Sequence, residues 1–201
     1  MSVLDHIHGS FVFPRRVERL ASLLACLIGD RPCTVLDVGC GDGSLDVRLM
    51  QLLPHVSIEG VDVLVRPDAG IPVRHFDGAR LPFPDKSFDV VMFVDVLHHT
   101  HSLAALLAEA RRVARFRVLI KDHLREGFLA GPTLRFMDTV GNARHGVALP
   151  FNYQPEEEWR RLFASAGMRV ENWNTRLELY PLLASFLFDR KLHFLAQLGS
   201  E

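Results

Sequence analysis

An apolar segment, Val35-Leu36-Asp37-Val38, runs straight into Gly39-Cys40-Gly41-Asp42-Gly43 and then into a helical pattern beginning at Ser44. Three glycines at alternate positions between a strand and a helix constrain this chain more than any other feature. They let the backbone turn tightly, and they let a bulky ligand lie against the main chain where side chains would clash. A dinucleotide fingerprint, G-x-G-x-x-G, would need its third glycine at the position held by Ser44. The Asp37 carboxylate also stands where a pyrophosphate would be repelled. A cationic ligand suits this loop better than an anionic one.

The rest of the chain alternates between strand and helix periodicity. Pro14 opens a helix with Val17, Leu20, Leu24 and Leu27 on one face, and Gly29 closes it. Strands are expected at 34–38, 57–63, 71–76, 88–94 and 116–120. Between them lie helices carrying Leu45, Leu49 and Leu52, and then Leu103, Leu106, Leu107, Ala110 and Val113. This order predicts an α/β, doubly wound parallel sheet with right-handed crossovers. Residues 124–153 hold Gly127, Gly131, Pro132, Gly141, Gly146 and Pro150 with weak periodicity, and are expected to form a long insertion, a substrate lid. Pro155 then starts a helix with Trp159, Leu162, Phe163 and Ala166 on one face, and two late strands follow at 168–180 and 192–198. A length of 201 residues is enough for one domain. It divides into an N-terminal helical segment (1–32), a ligand-binding core (33–122), the insertion (124–153) and a C-terminal helix with a strand pair (154–201).

Composition narrows the partners. A net charge of −1, with no basic run beyond Arg15-Arg16 and Arg111-Arg112, argues against nucleic acid as the main substrate. Cys26, Cys33 and Cys40 lack metal-ligand spacing and read as buried thiols of a reducing compartment. The apolar run at 20–28 lacks a leader's cleavage pattern, and 182–198 is cut by Asp189, Arg190 and Lys191, so no membrane span is expected. A soluble cytoplasmic protein is expected, its oligomeric state open.

The stretch 35–45 resembles the first motif of class I S-adenosylmethionine-dependent methyltransferases, and the resemblance extends over about residues 33–122. It implies a mostly parallel seven-stranded sheet with helices on both faces, an antiparallel last strand, and S-adenosylmethionine as cofactor. It places Asp37 and the backbone of Gly39, Cys40, Gly41 and Gly43 around the methionine part. Asp62, beside Val63, falls to the ribose hydroxyls, whose bidentate acceptance needs an ionised carboxylate. Asp77, Gly78 and Ala79 fall to the adenine, and Asp95 to the segment closing over the sulfonium. Asp89, at the entry of its strand, reads as structural.

Displacement at a sulfonium needs little beyond alignment in a dry pocket, but an oxygen acceptor of high pKa gains from a general base. His98 resembles the base of plant-type small-molecule O-methyltransferases, with a structural role at a helix start as the other reading. His123, in Lys121-Asp122-His123, is the second candidate. Neither falls in a recognisable metal spacing, and His98, His99 and His101 do not share a helical face, so no metal is expected. Acceptor contacts are expected from residues 6–16, with His8, Phe11 and Phe13, and from Gly141 through Arg144 to Phe151, Asn152 and Tyr153. The reading is methyl transfer to a small molecule, oxygen acceptor preferred. A protein or RNA acceptor and a non-catalytic cofactor-binding module remain as alternatives, and an NAD-dependent dehydrogenase is the weakest.

Overall fold

The computed structural model describes residues 13–100, 102–142 and 150–200. Helix α1 (Phe13–Ile28) precedes β1 (Cys33–Val38), α2 (Ser44–Leu52), β2 (Val56–Asp62), β3 (Val73–His75) and β4 (Phe88–Val94). A 3-10 turn (Leu97–His99) leads to α3 (Leu103–Val113), β5 (Ala114–His123), α4 (Ala130–Asn142) and α5 (Glu156–Ser165). Strand β6 (Met168–Asn174), α6 (Leu182–Phe188) and β7 (His193–Ser200) complete it. The seven strands form one sheet in the order β3-β2-β1-β4-β5-β7-β6. β1 to β5 pair in parallel, whereas β7 runs antiparallel to both β5 and β6. The expected doubly wound sheet with an antiparallel last strand is present. The order reverses between β1 and β4, and the carboxyl ends of those strands open onto the crevice where such sheets bind ligands.

Strand alternation divides the core in two. Leu36, Val38, Val91, Phe93, Val118 and Ile120 face α3 and α5, where Leu106, Leu107, Trp159 and Phe163 cover them. Val35, Val90, Met92 and Leu119 face α1 and α2, covered by Leu20, Leu24 and Leu49. Both faces of β1 and β4 are therefore apolar, as a central parallel strand requires. Asp37 is the exception in β1, buried on the α1–α2 side.

Several elements differ from the sequence expectation. Strand β3 is three residues long, and β5 begins earlier and runs on to His123. The insertion contains α4, whose Ala130 and Leu134, with Met137 beside them, pack on Tyr153 and Leu192. Pro132 lies in its first turn, where its missing N–H costs nothing. β6 stops at Asn174 rather than running to Tyr180, and the apolar run after Pro181, assigned to no element in the sequence, is α6. Asp89 accepts hydrogen bonds from the Thr34 amide and hydroxyl and pairs with Arg115, the structural part expected of it. The cysteines are free thiols, but Cys26 is exposed and Cys33 and Cys40 only half-buried, so the expectation of buried thiols was wrong.

Candidate functional site at the strand ends

Gly39, Gly41 and Gly43 all adopt positive φ, at 78°, 61° and 71°. The three are not equivalent. A side chain at Gly39 would bring its Cβ to 2.5 Å from Val96, and one at Gly43 would crowd Ile71 at 3.0 Å. At Gly41 the nearest atoms are those of the Arg66 guanidinium, 3.9 Å away. Gly39 and Gly43 are therefore small because the protein packs on them, whereas at Gly41 the protein leaves room for a Cβ beside the Arg66 guanidinium. Cys40, between them, lies against Gly60, and burial with the carboxylates of Asp37, Asp46 and Asp62 pushes its thiol up.

Beneath this loop Asp37 meets Asp46, from the first turn of α2. Asp37 Oδ1 and both Asp46 oxygens are buried without a hydrogen-bond partner. Burial, reinforced by Asp46, pushes the Asp37 carboxyl well above the usual range, and burial raises Asp46 to about 7. Two buried carboxyls without a cation favour holding a proton between them.

The β2 and β3 ends form the next part of the crevice. Asp62 Oδ2 accepts the Gly41 amide at 2.9 Å, and Oδ1 accepts the Leu64 amide at 2.9 Å. Val63 is exposed, and a side chain at Gly78 would bring its Cβ to 3.3 Å from Val63. Asp77 Oδ1 caps its own turn by accepting the Ala79 and Arg80 amides, and those N–H groups hold its carboxyl below the ordinary value.

Beyond β4 and β5 lies a buried polar cluster. Asp95, at φ 58°, is bound by Lys121 and by Arg16 of α1 at 2.8 Å. Burial opposes its ionisation, but Lys121, His123 and Arg16 hold it well below the usual range. Its carboxylate is thus engaged by these cations, in the segment that the resemblance assigns to closure over the sulfonium. His98 Nδ1 lies 2.6 Å from Asp122 Oδ1, and His98 Nε2 lies 3.2 Å from Asp138 Oδ2. Asp122 is itself fixed by the Leu97 amide at 2.9 Å and the His123 amide at 2.6 Å. Burial alone would lower His98, but the two carboxylates outweigh it and raise the ring to about 10. Among the described residues the nearest carboxylate oxygens to His123 are those of Asp95 and Asp122 at 3.6 Å, and burial together with His98 lowers it. The two rings stand edge to face, centroids 4.4 Å apart.

The fold thus joins both histidines singled out in the sequence, and it adds partners that local reading missed. Asp138 comes from α4, and Tyr153 donates to it at 2.5 Å. His193 of β7 lies 3.3 Å from Lys121 Nζ. Asp46, Arg16 and Asp138 had no signal in the sequence. Lys121-Asp122-His123 did, since it ends an otherwise apolar buried strand. Of the expected acceptor contacts, Phe13 is exposed, Phe151 and Asn152 are half-buried and Tyr153 is buried. His8, Phe11, His101 and Arg144 lie outside the described residues.

A family profile for a methyltransferase domain matches residues 10–172. The chain is 32% identical over 114 residues to 27-O-demethylrifamycin SV methyltransferase of Amycolatopsis mediterranei, covering 50% of this chain and 40% of that protein. It is 34% identical over 119 residues to malonyl-[acyl-carrier protein] O-methyltransferase of Geobacter sulfurreducens, covering 54% and 44%. The matched stretches thus span less than half the length of either relative. The solved PH0226 protein of Pyrococcus horikoshii superposes with a TM-score of 0.69 at 20% identity, over 96% of this chain and 92% of that one. At that identity the likeness establishes the fold.

Proposed function

The chain belongs to the methyltransferase domain family, and on that premise we propose that it transfers a methyl group from S-adenosylmethionine to a small-molecule hydroxyl. The cofactor fits the residues present. The floor at Gly41 is open, Arg66 offers a cation beside it, and the unpartnered Asp37 Oδ1 offers an acceptor beneath it. An amino-acid moiety, with one carboxylate and one ammonium, meets a group of each opposite character there. Asp62 would hold the ribose and Gly78 with Val63 the adenine. When bound, S-adenosylmethionine supplies a methyl on a sulfonium, which an oxygen nucleophile takes by displacement and which leaves as a neutral thioether.

The observation that carries the reading is the position of the buried cluster. Gly39 packs directly under Val96, two residues before His98, so the glycine loop and the histidine cluster are linked through the segment that follows β4. Asp122 orients His98, whose ring is locked between carboxylates and positions the acceptor. His123, free of a close carboxylate, takes the acceptor's proton. Burial excludes water from the displacement. One relative is named for 27-O-demethylrifamycin SV and another as an O-methyltransferase of malonyl-[acyl-carrier protein], which supports oxygen as the acceptor atom.

Release of S-adenosylhomocysteine, measured against a panel of small alcohols, phenols, carboxylic acids, thiols, unfolded protein and RNA, tests this. Turnover with hydroxyl-bearing small molecules is expected. Turnover only with protein or RNA, or none with any acceptor despite cofactor binding, overturns it.

A further inference from the structure

The geometry points to a metal site: His98 Nε2, His99 Nδ1 and an Asp138 carboxylate oxygen form a pocket for one divalent first-row transition ion of the zinc class. One ring nitrogen from each histidine and one Asp138 carboxylate oxygen all lie within 4.8 Å of one another. His98 Nε2 and Asp138 Oδ2 are 3.2 Å apart. Donors around a four-coordinate zinc, at bonds of about 2.0–2.2 Å, stand roughly 3.3–3.5 Å from each other. His99 Nδ1 is buried without a hydrogen-bond partner, and His98 Nε2 is buried with the Asp138 carboxylate as its neighbour. A buried imidazole nitrogen left without a partner is costly unless something binds it.

The surroundings are those of a built site. A metal-bound imidazole normally donates its other nitrogen to a carboxylate, which fixes tautomer and ring angle. His98 Nδ1 faces Asp122 at 2.6 Å, and Asp122 is held in turn by the Leu97 and His123 amides. Asp138 is oriented by the Tyr153 hydroxyl at 2.5 Å. Two histidine ligands and one carboxylate leave coordination positions open, and that donor set suits zinc or a similar ion.

Two neighbouring groupings compete and fit less well. Asp95, His123 and His193 are close enough, but the Lys121 ammonium already contacts Asp95 and lies 3.3 Å from His193 Nδ1. His98, Asp122 and His123 would use His98 Nδ1, which is already engaged with Asp122 at 2.6 Å. In the reaction the ion would polarise the acceptor hydroxyl as a Lewis acid. That role rests on the methyl-transfer reading, whereas the binding itself does not.

The test uses the full chain, stripped with chelator and titrated with Co2+ alone, following its visible d–d absorption and the heat of binding. One equivalent is expected to bind with strong d–d bands. His99→Gln and Asp138→Asn are expected to weaken binding at least 100-fold, Tyr153→Phe about 10-fold, and His193→Gln less than threefold. Circular dichroism and melting temperature check that each variant is folded. A wild-type protein without saturable Co2+ binding overturns the proposal, whatever the variants do. So does stoichiometric binding that survives folded His99→Gln, or that His193→Gln abolishes. Neither cofactor nor acceptor is present, so failure here leaves the methyl-transfer reading standing, and failure of turnover leaves the metal site standing.

Discussion

Asp62 Oδ2 accepts the Gly41 backbone amide at 2.9 Å, so the acid ending β2 holds the floor of the glycine loop that follows β1. A carboxylate has about four acceptor positions, and two are spent on Gly41 and Leu64, leaving capacity for a diol. Asp62→Ala is expected to weaken S-adenosylmethionine binding by roughly 10- to 100-fold, since charge-assisted hydrogen bonds are worth about 1.5–3 kcal/mol each. Calorimetry with the cofactor measures this. Wild-type affinity in a folded variant would place the ribose elsewhere.

Gly39 and Val96 make the opposite kind of contact. Gly39→Ala adds a methyl 2.5 Å from Val96 at a φ of 78°, where an L side chain is strained. The left-handed backbone costs about 1–2 kcal/mol and the overpacking about 1–3 kcal/mol. A lower melting temperature is expected. Val96→Ala in the same background should recover the overpacking part and leave the backbone part. No recovery at all would mean that packing on Val96 is not the constraint.

The Asp37–Asp46 pair makes stability depend on pH. Burial raises the Asp46 carboxyl to about 7 in the folded chain, above its unfolded value of about 4. A raised carboxyl contributes its full stability below the unfolded value and loses it as pH climbs through the folded one. Unfolding free energy should therefore fall between pH ~4 and ~7 on this account. Asp46→Asn removes that titration and should raise stability at pH 8 by at least about 1 kcal/mol, flattening the melting-temperature profile. An unchanged slope in the variant would show that the pair does not titrate there.

How far the sequence was legible follows from where each signal resides. The β1–glycine–α2 unit, β4 and α5 carry their periodicity and their stop signals within a few residues, so they read off directly. Helix α4 does not, because Gly131, Pro132 and Gly141 break its local pattern and its partners, Tyr153 and Leu192, come from elsewhere in the chain. Helix α6 hid because a seven-residue, mostly apolar run carries no decisive period. Asp37 and Asp62 were legible as acids at strand ends, but nothing local announced that Asp46 would lie against Asp37. The polar cluster draws on α1, the turn after β4, β5, α4 and β7. Its side chains meet only in the folded chain, which is why Asp138 and His193 were not associated with the two histidines in the sequence.

Asp89 separates structure from site. It accepts the Thr34 amide at 2.9 Å and the Thr34 hydroxyl at 3.0 Å and pairs with Arg115, joining β1, β4 and β5 away from the crevice. Asp89→Ala should lower stability by about 1–3 kcal/mol, read by denaturant titration, with cofactor affinity changed less than threefold. A large loss of affinity at full stability would contradict a purely structural part.

Gly41 should behave unlike Gly39, because a side chain there has room. An added Cβ would lie 3.9 Å from the Arg66 guanidinium, an ordinary contact, so a methyl meets no core atom and costs only the strain of φ 61°. Gly41→Ala is therefore expected to remain folded, about 1–2 kcal/mol less stable than wild type. Its response to ligand should differ more. Wild-type protein with S-adenosylmethionine at about a hundred times its dissociation constant gains roughly 2.7 kcal/mol, seen as a higher melting temperature, and NAD at the same concentration gives no shift. In Gly41→Ala the methyl occupies the room left for the ligand, so the same concentration should produce less than half that gain. A variant that melts lower but keeps the full ligand-induced shift would show that the open floor at Gly41 is not where the cofactor lies.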